Sequence, residues 1–367
     1  MTEITIDEYL KNKDDYLEVE ELKVIGKAPE SCRNLFANFK GKKVDLSELD
    51  TSETTDMNCF FDDCYSLKEV NLTGLDTSKV VDMYAFFCNC RSLEEVDLSD
   101  LDTSKVTNME YFLSGCESLK EVDLAGLDTS NVTDMRGFFS GCESLKEVDL
   151  AGLDTSKVED MHCFFKDCDS LEKVNLAGLD TSNVWNMEGF FFGCESLEKV
   201  DLSGLDTSKV SYMNCFLADC YSLKEADLSN LDTSNTKYMI RFFENCESLK
   251  EVNLANLDTS KVWSMNCFFC NCESLEKVDL SGLNTSKVED MEGLFYKCFS
   301  LEKLDLSSFN LENCENTHCM FAGVEAEIVA SDPKIIEAVE YEQERQEKGY
   351  DMCIWNNIEN AIEDIDY

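Results

Sequence analysis

Gly115–Ser140 reads GCESLKEVDLAGLDTSNVTDMRGFFS, and the chain then starts the same phrase again, Gly141–Ser156 repeating Gly115–Ser130 letter for letter. Leu-Asp-Thr-Ser recurs every 26 residues from Leu49 to Leu257, Leu-Asn-Thr-Ser stands at Leu283, and a worn copy follows at Phe309-Asn310-Leu311. No insertion disturbs the register. A fixed period of this size is the signature of a solenoid, a single stacked body in which each repeat touches only its neighbours.

Each rung divides into three parts. In Ser118–Leu124, Leu119, Val122 and Leu124 point inward and charged residues fill the other places, so the segment is a short strand. Identical strands stacked rung on rung make a parallel sheet. Ala125–Ser130 is a turn, built on Gly126 and the local hydrogen bonding of Asp128, Thr129 and Ser130. Behind it, the spacing of Val132, Met135, Phe138 and Phe139 suits a short helical turn, with Val132–Met135 alternatively extended. The fold expected is an α/β repeat solenoid, with a parallel β-sheet on one side and short helical turns on the other.

The chain has 20 cysteines, and ten share one repeat column: Cys64, Cys90, Cys116, Cys142, Cys168, Cys194, Cys220, Cys246, Cys272 and Cys298. Stacked about 4.8 Å apart with parallel side chains, they are wrongly aimed for disulfides. Reduced thiols that pack the core and bond weakly to backbone are expected. With 76 acids against 32 bases, the formal net charge is −44. Such a body repels nucleic acid and anionic membranes and favours cationic partners. No apolar run approaches the ~20 residues of a membrane span.

Residues 1–43 read as an N-terminal cap, with a short acidic helix from Asp7 and a strand within Tyr16–Ile25. Residues 44–330 form the solenoid of about eleven rungs. Residues 331–367 read as a C-terminal helical cap: Asp332 and Pro333 start a helix, and Asp351–Tyr367 offers a second amphipathic one. The N-terminus has neither a basic start nor an apolar core. The chain as written is therefore expected in the cytoplasm, or at the cell surface or secreted if a signal or anchor has been trimmed.

The phrase LDTSNVTDMxxFFSGCESLKEVDLS resembles the repeat of BspA-like leucine-rich-repeat proteins of bacteria and some protists. The likeness runs from about Val44 to Gly323. It implies a right-handed solenoid and a surface protein used in adhesion or in binding host and matrix proteins.

The outward strand column holds Asp45, Asn71, Asp97, Asp123, Asp149, Asn175, Asp201, Asp227, Asn253, Asp279 and Asp305. Asp97, Asp123, Asp149, Asp201, Asp227 and Asp279 are the candidate partner-binding residues. Stacked carboxylates repel unless solvated or neutralised, and the neighbouring lysines can bridge several of them. The face is either a solvated, partly self-neutralised surface or a contact for a basic protein. Calcium fits poorly, since a flat ladder supplies fewer than its usual ~6–8 oxygens. The threonine column, Thr51 through Thr285, reads as turn-forming.

Catalysis has little support. His162 and His318 lie six rungs apart in one column, too far to share an ion. Cys314, His318 and Cys319 lack an evident fourth zinc ligand. No phosphate loop, nucleophile elbow or paired catalytic carboxylate occurs. The expectation is a non-enzymatic, cofactor-free protein-binding scaffold, monomeric or weakly self-associating, with a basic or host-derived protein as partner. Two alternatives stand beside it: an intracellular acidic inhibitor or nucleic-acid mimic binding a basic protein, and a structural spacer or assembly element.

Overall fold

The computed structural model describes residues 1–347, and they wind into a parallel β-solenoid. The expected second helix over Asp351–Tyr367 lies outside the described residues. On the first side of the coil run β1 (Thr2–Thr5), β2 (Glu21–Lys27), β3 (Lys43–Asp50) and β4 (Glu69–Asn71), all parallel. After an interval come β5 (Glu147–Asp149) and β6 (Lys173–Asn175), then β7 (Glu225–Asp227), β8 (Glu251–Asn253) and β9 (Lys277–Val278), and last β10 (Lys303–Asp305) with β11 (Glu327–Val329). Residues 2–27 therefore extend the same sheet by two strands before the repeat proper begins.

The breaks in this sheet follow the outward column. Regular pairing joins Asp45 to Asn71, Asp149 to Asn175 and Asp227 to Asn253. In each, the asparagine Nδ2 donates to the aspartate Oδ1 of the preceding rung, at 2.9–3.0 Å. Where the later rung carries aspartate, at Asp97, Asp123 or Asp201, no such register forms, and at Asp279 the pairing of β9 with β8 stops at Val278. An amide over a carboxylate closes the ladder; with the order reversed, as at Asp97 over Asn71, the later residue has no donor to give, and where Asp123 follows Asp97 like charges lie directly opposite and weaken it. Asp123→Asn, which restores a donor above Asp97, is expected to raise the thermal midpoint slightly. A lowered midpoint would remove this explanation of the breaks.

The opposite side departs from the expected helical turns. A single parallel bridge per rung runs from Ser31↔Asp56 to Asp290↔Asn316. Beyond it the chain makes consecutive tight turns with two left-handed residues four apart, such as Cys59 (φ 54°) and Asp63 (φ 59°). Each left-handed residue turns its N–H out of the local spiral and toward the next rung. Met57, Cys59, Phe61 and Asp63 thus donate to the carbonyls of Asp82, Tyr84, Phe86 and Cys88, at 2.7–3.1 Å. Between them, Asp62 and Cys64 close i→i−3 turns onto Cys59 O and Phe61 O. A helix would have kept all these bonds within the rung.

The core is continuous along the coil. Phe138, Phe164 and Phe190 stack face to face, as do Phe139, Phe165 and Phe191, and all are fully buried. Each of the ten ladder cysteines donates its thiol to a carbonyl of the preceding rung, at 3.1–3.4 Å. They are free thiols, as the parallel side-chain directions require. Cys319 differs: it is disulfide-bonded, which limits the expectation of reduced cysteines to the ladder and its neighbours. The threonine column is buried, and each hydroxyl donates to a carbonyl of the next rung at 2.9–3.1 Å.

At the ends, α1 (Ile6–Lys11) and the short α2 (Lys13–Tyr16) sit beside β2. Tyr9 is fully buried over Phe36, with ring centroids 5.2 Å apart. At the other end, α3 (Pro333–Glu347) buries Ile335 and Ala338 in the core. Asp332 starts it as expected, its Oδ1 accepting from Lys334 N at 2.9 Å. The other oxygen accepts from Leu311 N at 2.8 Å and ties the helix to the last rung.

Candidate functional site

The strand side is open, and every candidate aspartate on it is exposed. Asp97, Asp201, Asp227 and Asp279 each accept, through Oδ1, the backbone N–H of the serine two residues on, at 3.0 Å. Asp123 and Asp149 do the same with Ala125 and Ala151. The turn after the strand needs this bond, because its first N–H points away from the ladder. Serine hydroxyl and backbone N–H hold Asp97, Asp201, Asp227 and Asp279 below the usual carboxylate range. One oxygen of each carboxylate is thereby fixed, and the other faces water.

The lysines do not bridge this row, contrary to expectation. They pair with glutamates of adjacent rungs: Lys43 with Glu69, Lys120 with Glu94, Lys146 with Glu172, Lys199 with Glu225 and Lys224 with Glu198. All are exposed pairs that add little stability. They neutralise these five glutamates and leave the aspartates, together with strand glutamates such as Glu95 and Glu121, as uncompensated charge. A groove of about 670 Å³ opens here, lined by Lys68, Glu69, Val70, Glu95, Val96, Asp97, Glu121, Val122 and Asp123.

The other candidate groups stay apart. His162 is mostly buried, its Nε2 meets no partner, and burial lowers its pKa to about 4, so it is packed as a neutral ring. Beside it Arg136 bridges Glu110 at 2.7 Å and Asp134 at 2.8 Å. Burial, then the Asp134 charge, raises Glu110 to about 7. Cys314, His318 and Cys319 do not form a ligand set: Cys314 Sγ donates to Asn316 O at 3.4 Å, and the sulfur of Cys319 is committed to a disulfide.

Sequence reading missed an aromatic strip on the bridge side. Trp185, Tyr212, Tyr238 and Trp263 follow one another over four rungs, with centroids 5.7, 5.2 and 6.2 Å apart. Both tryptophans are more than 40 % exposed, at 43 % and 48 %. Two exposed indoles joined by two half-buried tyrosine rings stand out on so acidic a surface. The available signal is departure from the repeat. Columns that never vary build the rung, and residues that break their column are free for recognition.

The family model described as "Mycoplasma protein of unknown function, DUF285" matches residues 30–148, 135–253 and 219–331. No curated protein resembles the chain significantly. Among solved structures, a leucine-rich repeat protein from Bacteroides ovatus is 17 % identical, with 84 % of this chain and 79 % of that one covered at a TM-score of 0.42. Another from Eubacterium ventriosum is 15 % identical, with 89 % and 86 % covered at 0.40. The functional domain of InlJ from Listeria monocytogenes, which includes a cysteine ladder, is 15 % identical, with 78 % and 62 % covered at 0.34. With matches spanning most of its length and the 26-residue rung throughout, the chain belongs to the DUF285 family of BspA-like leucine-rich-repeat proteins.

Proposed function

We propose that the chain is a non-catalytic protein-binding scaffold whose strand face receives a basic protein. The observation that carries this reading is the fixed aspartate row. Each carboxylate is oriented by its own turn through Oδ1, repeats at the rung spacing of about 4.8 Å and offers its second oxygen to solvent. Lysine and arginine side chains of a partner would meet acceptors that lose little freedom on binding. Electrostatic complementarity of this kind speeds encounter and selects partners by charge.

The test compares two baits, the wild-type chain and the variant carrying Asp97→Asn, Asp123→Asn and Asp149→Asn. A partner held by the wild type should be released by moderate salt and lost from the variant. Each asparagine keeps the Oδ1 acceptor that its turn uses, so the variant is expected to fold. Equal retention by both baits sinks the acidic-face reading. Displacement of the captured protein by DNA would favour the nucleic-acid mimic over the adhesion-type scaffold.

The aromatic strip supports a second reading, an adhesion-type contact through Trp185 and Trp263. Aromatic anchors dominate binding energy where they are desolvated. Such a partner would resist salt and be lost on Trp185→Ala with Trp263→Ala. Binding that survives both substitutions excludes it.

A further inference from the structure

We propose that Glu244, Cys267 and Cys270 form a binding site for Zn²⁺ or an ion of like preference, a site independent of the partner face. Cys267 and Cys270 are the two ends of one tight turn: Cys267 is left-handed (φ 55°), and Cys270 N donates to Cys267 O at 3.0 Å. The turn brings both sulfurs to the same side. Glu244 occupies the column of Cys270 one rung earlier, and a carboxylate oxygen of Glu244 and the two Sγ atoms all lie within 4.8 Å of one another. All three residues are buried, at 7, 0 and 1 % exposure.

Two thiolates and one carboxylate suit zinc and are too soft a set for calcium or magnesium. Three protein donors leave one position of a tetrahedral ion for water. The charge also balances. The deprotonated donors carry −3, the ion +2, and Arg241, buried with its Nε 3.5 Å from Glu244 Oε2, supplies the remaining +1. A loaded site is then neutral inside a low-dielectric surrounding, which is the condition for burying charge without a large desolvation cost. Cys267 and Cys270 also belong to a small apolar cluster of their own with Tyr296, Cys319 and Ala322, apart from the main core. The ladder thiols differ in kind. Cys272, close by, spends its S–H on Phe243 O at 3.1 Å.

The test is a Co²⁺ titration of the whole reduced chain, with metal content measured on protein purified without chelator. One equivalent should produce thiolate-to-cobalt charge-transfer absorption that Zn²⁺ then removes. Cys267→Ser and Cys270→Ser should each abolish the absorption. Glu244→Gln should weaken binding by more than the ~10–100-fold that loss of an outer-shell partner costs. Cys272→Ala, equally buried but in the ladder, controls for general damage to the core and should leave the spectrum intact. The proposal fails if the wild type shows no charge-transfer band, or if the band survives loss of Cys267 and Cys270. It fails equally if rapid thiol trapping finds these two cysteines joined as a disulfide.

Discussion

Phe164→Ala is expected to split the unfolding of the solenoid into two transitions. The ring is fully buried and stacked between Phe138 and Phe190, at 5.8 and 5.5 Å, with Phe165 edge-on at 4.8 Å. Its loss opens a cavity on both faces of one rung, and a buried phenylalanine-to-alanine change costs about 3–5 kcal/mol. In a globular domain that loss would lower one transition. Here each rung touches only its neighbours, so the loss falls on the two interfaces that join the halves of the chain. Calorimetry should show the single transition of the wild type become two, with the halves melting separately. Phe164→Leu should do far less, because Leu294 already fills this column five rungs later. A single transition, merely shifted, would mean that coupling reaches beyond nearest neighbours.

Gly41→Ala should detach the N-terminal turns. A Cβ at this position would lie 2.1 Å from the carbonyl oxygen of Val19 and 2.3 Å from Phe39 Cζ. The first contact is with backbone, so no rotamer change relieves it. The flanking residues hold the entry segment: Lys40 N donates to Leu17 O at 2.9 Å and Lys42 N to Glu20 O at 2.7 Å. Moving Gly41 breaks that pair of bonds and lifts β1, β2 and α1 from Phe36. The expected cost exceeds about 3 kcal/mol, the upper end for overpacking, and limited proteolysis should cut before Lys43 while later rungs resist. Gly282→Ala, with nothing within 4 Å of the added carbon, is the matched neutral change. Equal protease resistance of both variants would show that the entry turn can yield without cost.

How far the molecule could be read in advance depended on what repeats. The period set the sheet, the aromatic stacks and the thiol and threonine ladders, because a column of identical residues must lie in identical surroundings. The MxxFF segment misled for a physical reason. Apolar residues at i and i+3 mark one face of a helix and also the inner face of i→i−3 turns. The distinguishing sign was the column running Asp63, Asn89, Gly115, Gly141 and Asp167, residue types that accept a left-handed backbone. The other left-handed column mixes Gly137, Gly189 and Gly293 with Cys59, Tyr111 and Arg241, so its sign is diluted. The alternation of Asp and Asn on the strand face was visible, but which rung donates to which is a matter of register. The aromatic strip escaped because Trp185 and Trp263 occupy one column and Tyr212 and Tyr238 the next.

The one-way backbone bonds behind the sheet have a consequence for how such a chain changes size. Every rung offers its successor the same set of N–H groups that it answers in its predecessor with carbonyls, so any rung fits above any other. Duplicating or deleting 26 residues leaves both seams matched, whereas a shift of even one residue misaligns donors, rings and thiols together. Copy number is therefore a freely adjustable quantity, and the identity of Gly115–Ser130 and Gly141–Ser156 is what a seam from such a duplication would look like. Lengthening the rod would extend its row of carboxylates by one place per copy and require no new fold.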